Sequence, residues 1–208
     1  MKNNIKSLPL TIVAVSKNRS KSDIKRLFDQ GFTIFGENRV QELLTKVDID
    51  LPIIWHMIGH LQTNKVKFAV KYCAMIQSVD SLKLLKAIDQ EAQKQDKVMP
   101  VLIQVNIAKE ETKFGITKDE LIPMINKAKE LDNIIINGLM VIGPNTDDKD
   151  KILTVFQEGN LIYQELKKIA QSNLNPIFLS MGMSNDYQIA IDAGSNMIRI
   201  GRLLFSEY

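Results

Sequence analysis

Apolar runs of strand length alternate with longer segments of helical periodicity from one end of the chain to the other. Eight runs have strand character: residues 10–16 (LTIVAVS), 32–36 (FTIFG), 53–59 (IIWHMIG), 74–79 (AMIQSV), 99–107 (MPVLIQVNI), 134–142 (IIINGLMVI), 176–182 (PIFLSMG) and 196–201 (NMIRIG). Between them lie amphipathic stretches such as residues 81–95, where Leu82, Leu85, Ile88 and Ala92 recur three or four apart and make one apolar stripe. This alternation marks a parallel α/β sheet rather than a sandwich or a bundle. Eight βα units of about 25 residues each need roughly 200, and the chain has 208. The expected fold is a single (β/α)8 TIM-like barrel, with residues 1–208 forming one domain. No linker or composition shift interrupts it, and the polar stretch GPNTDDKDK at 143–151 reads as a surface loop leading into a helix.

Glycines sort into two sets. Gly31 and Gly194 follow helical segments, where a left-handed C′ residue ends the helix. Gly36, Gly59, Gly182 and Gly201 follow strands, where a missing side chain lets a ligand or another backbone come close, so this set points to the functional end of the sheet.

Composition changes this picture little. With 45% apolar and 25% charged residues the chain is an ordinary soluble type, and no apolar run approaches the length that would span a bilayer. The balance of 27 basic to 24 acidic residues, spread without a basic run, gives no footprint for nucleic acid. Cys73 stands alone, which fits a reducing cytoplasm, and it reads as a small apolar residue opening a strand. No secretion or membrane signal is expected.

Three places could carry chemistry. Lys17 directly follows the first strand, so its amine is expected at the strand's C-terminal mouth, partly desolvated. Desolvation raises the fraction of free amine, which attack on an aldehyde requires. Position alone favours a solvated surface lysine. Ser184, in FLSMGMSNDYQ, is expected to cap a helix, and its hydroxyl with the first-turn N–H groups would form an anion site. Capping alone would explain the same residues. Arg199 lies inside an apolar strand, where a buried guanidinium needs a partner. A structural carboxylate could serve, and so could the ring nitrogen of a cofactor. The last two places occupy loops after the seventh and eighth strands, where barrel enzymes often hold phosphate. Because strand eight closes on strand one, the three together would embrace a phosphorylated aldehyde, a description that pyridoxal 5′-phosphate (PLP) fits. His56 and His60 have metal-like spacing, but Gly59 ends a strand between them and no second ligand cluster lies nearby, so no metal is expected. Trp55 reads as core.

The motifs AVSK (14–17), FGENRVQE (35–42), WHMIGHLQTNK (55–65), QSVDS (77–81), IQVNIAKEETKFGI (103–116), GLM (138–140), SMGMSNDY (180–187) and RIGRLLF (199–205) resemble the pyridoxal phosphate homeostasis protein family, in order and from about residue 10 to 205. The resemblance implies a barrel similar to the N-terminal domain of alanine racemases, with PLP held as an internal aldimine. Carried over by position, it makes Lys17 the Schiff-base lysine, Met183 and Ser184 the phosphate-binding part of SMGMS, and Arg199 the arginine facing the pyridine nitrogen. Gly201 and Arg202 would add phosphate contacts, and Asn38 of FGEN would lie near the cofactor. The chain departs from the family at three points. The usual N-terminal helix is shortened or absent, Asn18-Arg19-Ser20 follow AVSK in place of a segment ending in proline, and Ser206 replaces a terminal glycine.

Arginine cannot protonate the ring nitrogen, which predicts a weak electron sink. The resembling racemases take a second base, a tyrosine, from another domain. None is expected here, and Tyr72, Tyr163, Tyr187 and Tyr208 are not marked out for that role. The reading favoured is a non-catalytic carrier that holds PLP and hands it to apo PLP-dependent enzymes, against a small racemase-like enzyme acting on amino acids.

Overall fold

The computed structural model describes residues 10–108, 110, 113–206. Eight parallel strands close into a barrel in sequence order: β1 (Thr11–Val15), β2 (Ile34–Glu37), β3 (Ile54–Met57), β4 (Met75–Val79), β5 (Met99–Val105), β6 (Ile134–Val141), β7 (Leu174–Ser180) and β8 (Met197–Ile200). Helices α1 (Lys21–Asp29), α2 (Val40–Leu44), α3 (Val66–Tyr72), α4 (Leu82–Lys94), α5 (Lys118–Lys127), α6 (Lys149–Leu166), α7 (Tyr187–Asp192) and α8 (Arg202–Phe205) follow the strands in turn. The expected (β/α)8 barrel is therefore present. All eight strand runs become strands, each within two residues of its expected limits. The shortened N-terminal helix falls on residues outside the described ones, as does Tyr208.

Two apolar layers hold the barrel together. The outward residues of the strands, Phe35, Trp55, Ile76, Val101, Ile136 and Leu179 among them, pack beneath the helices. Trp55 is core as expected, buried with its ring tilted against Phe35 at 6.0 Å. Alternation sends the intervening residues inward, where Val13, Met75, Leu102, Met140 and Met197 fill the barrel below a polar layer. Helix starts are fixed by side chains: Ser20 and Asp23 form a capping box on α1, and Asp148 caps α6. Inside β6, Gly138 adopts φ +135°, and a Cβ there would overlap the carbonyl oxygen of Phe178. The bulge it makes lets β6 and β7 shift register between Ile136 and Gly138.

Gly36 corrects one expectation. It lies within β2 rather than after it, and a Cβ would meet Ile58 Cδ1 at 2.8 Å and Val13 Cγ1 at 2.9 Å. Its missing side chain admits interior packing, not a ligand.

Candidate functional site

The C-terminal mouth of the barrel gathers the residues named above. β1 pairs with β8 through Ala14 and Ile200 and with β2 through Val15 and Gly36. Past the strand end the Ser16 N–H still donates to the Gly36 carbonyl at 3.1 Å, which keeps the start of the loop after β1 beside the end of β2, and Gly201 packs on the other side, where its Cβ position is 3.3 Å from Val15. Lys17 occupies the turn after β1 and is exposed. The expected desolvation is thus absent, because the chain turns at Ser16 and carries Lys17 out of the mouth instead of continuing along the apolar strand. Its amine is accessible to a ligand arriving from solvent.

Asn38 is half-buried, and its backbone lies against Gly59, where a Cβ would come within 2.6 Å of Asn38 Cα and closer still to its carbonyl oxygen. Gly59 thereby joins the loops after β2 and β3. Gly59→Ala is expected to cost about 2 kcal/mol, a typical penalty for overpacking against backbone, read as a lower urea midpoint at unchanged slope. An unchanged midpoint would show that the two loops separate freely.

The loops after β7 and β8 are joined by a side-chain bond, Arg202 Nη2 donating to Asn185 Oδ1 at 2.9 Å. Gly182 turns the chain out of β7 with φ +95°. Ser184 is not the helix cap that was expected. Residues 184–186 form a turn, α7 begins at Tyr187, and its N-cap is Asp186. The cause is the buried Asp186 carboxylate, which reaches back to accept the Met183 N–H at 2.6 Å and closes the turn. Met183 is itself exposed, and its amide is engaged by Asp186. The amides of Ser184 and Asn185 have no acceptor among the described residues. This turn, not a helix start, is what offers free N–H groups to an anion.

Arg199 points into the barrel and is 4% exposed. Its partners are neither a carboxylate nor yet a ligand: Nη1 donates to the Ser180 carbonyl at 2.9 Å and to Ser180 Oγ at 2.7 Å, and Nη2 donates to the Val141 carbonyl at 3.0 Å. Burial lowers its pKa to about 10, the Asp186 carboxylate pulling the other way, so it is cationic at neutral pH. The bonds continue inward. Ser180 Oγ donates to Gln77 Oε1 at 2.7 Å, and Gln77 Nε2 lies 2.8 Å from His56 Nδ1. An exposed lysine after β1, a turn after β7 with two unbonded backbone amides and a buried cation on β8 therefore lie at the same end of the barrel.

Residues 4–208 match the alanine racemase N-terminal domain family. The pyridoxal phosphate homeostasis protein of Aquifex aeolicus (strain VF5) is 37% identical over 198 residues, covering 94% of this chain and 86% of the relative. The chain belongs to the pyridoxal phosphate homeostasis protein family. Its counterpart from Pasteurella multocida (strain Pm70) is 34% identical over 198 residues, covering 93% of this chain and 84% of the relative. Among solved structures, PipY of Synechococcus elongatus PCC7942 with PLP bound superposes with TM-score 0.86 at 32% identity, covering 96% of this chain and 95% of PipY. An alanine racemase of Clostridium difficile 630 in complex with cycloserine shares the fold, with TM-score 0.79 at 15% identity over 96% of this chain and 55% of the racemase.

In this homeostasis-family barrel the two histidines are kept apart. His56 faces the interior, while His60 sits beyond β3, with Nδ1 2.7 Å from Asp80 Oδ2 and its ring stacked on Phe114 at 3.8 Å. Cys73 is buried at the end of α3, and burial pushes its thiol up to about 12. Among the described residues no group of three or more His, Cys, Asp or Glu is placed to hold a metal ion, and no helix is long and apolar enough to cross a membrane.

One buried cluster was missed in the sequence. Lys46 is 2.7 Å from both Glu37 Oε1 and Glu42 Oε1, and it also donates to the Ser16 carbonyl at 2.8 Å. The usable signal was Glu37 closing an apolar strand in the FGEN motif, where a buried carboxylate requires a cation.

Proposed function

We propose that residues 1–208 form one PLP-binding barrel domain that holds the cofactor on Lys17 as a Schiff base and releases it to apo PLP-dependent enzymes in the cytoplasm. The observation that supports this reading is the order of the loops at the C-terminal end of the barrel: exposed Lys17 follows β1, whose neighbours β2 and β8 lead into the loop that carries Asn38 and into the loop that Arg202 joins to Asn185. PipY, a relative at 32% identity, has been solved with PLP bound, and the residues here fit the same group. Bound PLP supplies an electrophilic aldehyde and an electron-withdrawing ring. Lys17, as the free amine, would condense with the aldehyde, its nitrogen replacing the carbonyl oxygen on that carbon and the oxygen leaving as water with the two amine protons. The free amides of Ser184 and Asn185, the Ser184 hydroxyl and the backbone at Gly201 and Arg202 would receive the phosphate, Met183 would line it without donating because its amide is held by Asp186, and Asn38 would border the ring. The Arg199 N–H groups left over from Ser180 and Val141 face the ring nitrogen.

Arg199 together with the lack of a marked second base favours a carrier over a catalyst. A guanidinium does not transfer a proton to the ring nitrogen, so the ring stays a weak electron sink. The relatives' name, homeostasis protein, agrees with this. The test is to add PLP, record visible absorbance, and then incubate the loaded protein with single-enantiomer amino acids. Stoichiometric colour with no change in optical rotation beyond that of free PLP is expected. Sustained Lys17-dependent racemisation would overturn the carrier reading, and a protein that stays colourless would overturn PLP binding.

Arg202→Ala removes the bond to Asn185 that joins the two phosphate loops. Loss of one such exposed hydrogen bond, about 1 kcal/mol, is expected to speed PLP release about fivefold. Transfer to an excess of an apo-aminotransferase reads this rate, and an unchanged rate would detach Arg202 from the phosphate.

A further inference from the structure

No described residue holds the Lys17 side chain, yet the backbone on both sides of it is tied down. On one side, the Ser16 carbonyl accepts Lys46 Nζ at 2.8 Å and the Arg19 amide at 3.0 Å, while Ser16 Oγ donates to Glu37 Oε1 at 2.6 Å. On the other, the Asn18 N–H donates to Glu42 Oε1. Asn18 has φ 59°, a left-handed conformation that Asn adopts more readily than most residues but that still needs support. Lys46 bridges the two carboxylates and so joins both tethers.

From these contacts we infer that Lys46, Glu42 and Glu37 are positioning residues that set the direction in which Lys17 leaves the barrel. This rests on the Schiff-base reading of Lys17. A lysine side chain has four rotatable bonds, so an exposed amine reaches a fixed carbon efficiently only if its backbone root is held. The cluster is costly for mere packing: Glu37 is fully buried, Lys46 is 5% exposed, and Glu37 Oε2 has no hydrogen-bond partner among the described residues. Apolar side chains of like volume would join α2 to the barrel at no such cost. What they could not supply is an acceptor for Asn18 N–H and a donor for Ser16 C=O on the two sides of Lys17.

Glu42→Ala, Lys46→Met and Lys46→Arg separate positioning from folding. In ligand-free protein, Glu42→Ala is expected to raise hydrogen exchange at the Asn18 amide at least about tenfold. On adding PLP, the visible absorbance should appear about tenfold more slowly and titrate at a different pH, with the thermal midpoint nearly unchanged. Lys46→Met should show the same or more, and Lys46→Arg should recover most of the rate. If Lys46→Met does not fold, Glu42→Ala decides alone. A folded Glu42→Ala protein with wild-type capture rate and pH profile overturns the inference, whether or not the Asn18 amide is freed. Failure of the Schiff-base reading would look different, because wild-type protein would then carry no reducible link at Lys17.

Discussion

Lys17→Ala is expected to give a folded protein that never turns yellow with PLP. Lys17 is exposed and its side chain is bonded to no described residue, so the substitution should shift stability by no more than about 0.5 kcal/mol. Its effect on the cofactor should be complete, since the link is covalent. Lys46, which bonds to the carbonyl of the residue before Lys17, is no substitute, because its three N–H groups are engaged by Ser16, Glu37 and Glu42. Residual PLP would be held through phosphate and ring alone and would dialyse away. Borohydride reduction followed by peptide mass spectrometry reads the outcome directly. Wild type should carry the reduced cofactor on the peptide containing Lys17, and Lys17→Ala should carry none. Modification of another residue in wild type would overturn the reading.

The barrel was legible because its signals are local. Runs such as 99–107 and 134–142 are apolar, short and bounded by polar residues, and the right-handed βα rule leaves few ways to assemble eight of them. The site was legible in which residues it contains and less so in what each does. Lys17 and Arg199 stand out by position. Ser184 was misread as a cap because the motif alone does not say that Asp186 takes that place by accepting the Met183 amide. Lys17 was expected to be desolvated because the sequence shows the strand before it and not the turn at Ser16. Gln77 and Ser180 open two of the motifs, but nothing in either marks them as partners, and only closure of the barrel brings residues 103 positions apart to 2.7 Å. The same holds for Glu37 and Lys46, whose pairing depends on how α2 returns the chain towards β1.

The interior chain from Arg199 through Ser180 and Gln77 has a direction. Arg199 can only donate, so Ser180 Oγ accepts from it and donates to Gln77 Oε1, which leaves the Gln77 amide to donate to His56 Nδ1. This order requires neutral His56 with its proton on Nε2. A protonated His56 would present an N–H to an N–H donor and add a second buried cation to the barrel that already holds Arg199. Burial agrees, lowering the His56 pKa to about 4.

Acid is therefore expected to destabilise the protein through His56. The unfolded chain binds a proton there near pH 6.5 and the folded one only near pH 4, so between these values the unfolded state holds more protons and stability falls as pH falls. The loss should reach about 2 kcal/mol at pH 5 and about 3 kcal/mol at pH 4, relative to pH 7. Glu37 acts in the opposite sense, because burial raises its pKa and the folded state gains protons first. The difference between wild type and His56→Gln isolates the histidine. A glutamine carbonyl still accepts from Gln77, so urea unfolding at pH 7 should find the two proteins within about 1 kcal/mol. By pH 5 the variant should have gained about 2 kcal/mol on wild type. Parallel stability curves from pH 7 to 4 would mean that His56 takes up its proton in the folded state, with the Gln77 amide turned over so that its oxygen accepts from His56 and its NH2 donates to Ser180 Oγ.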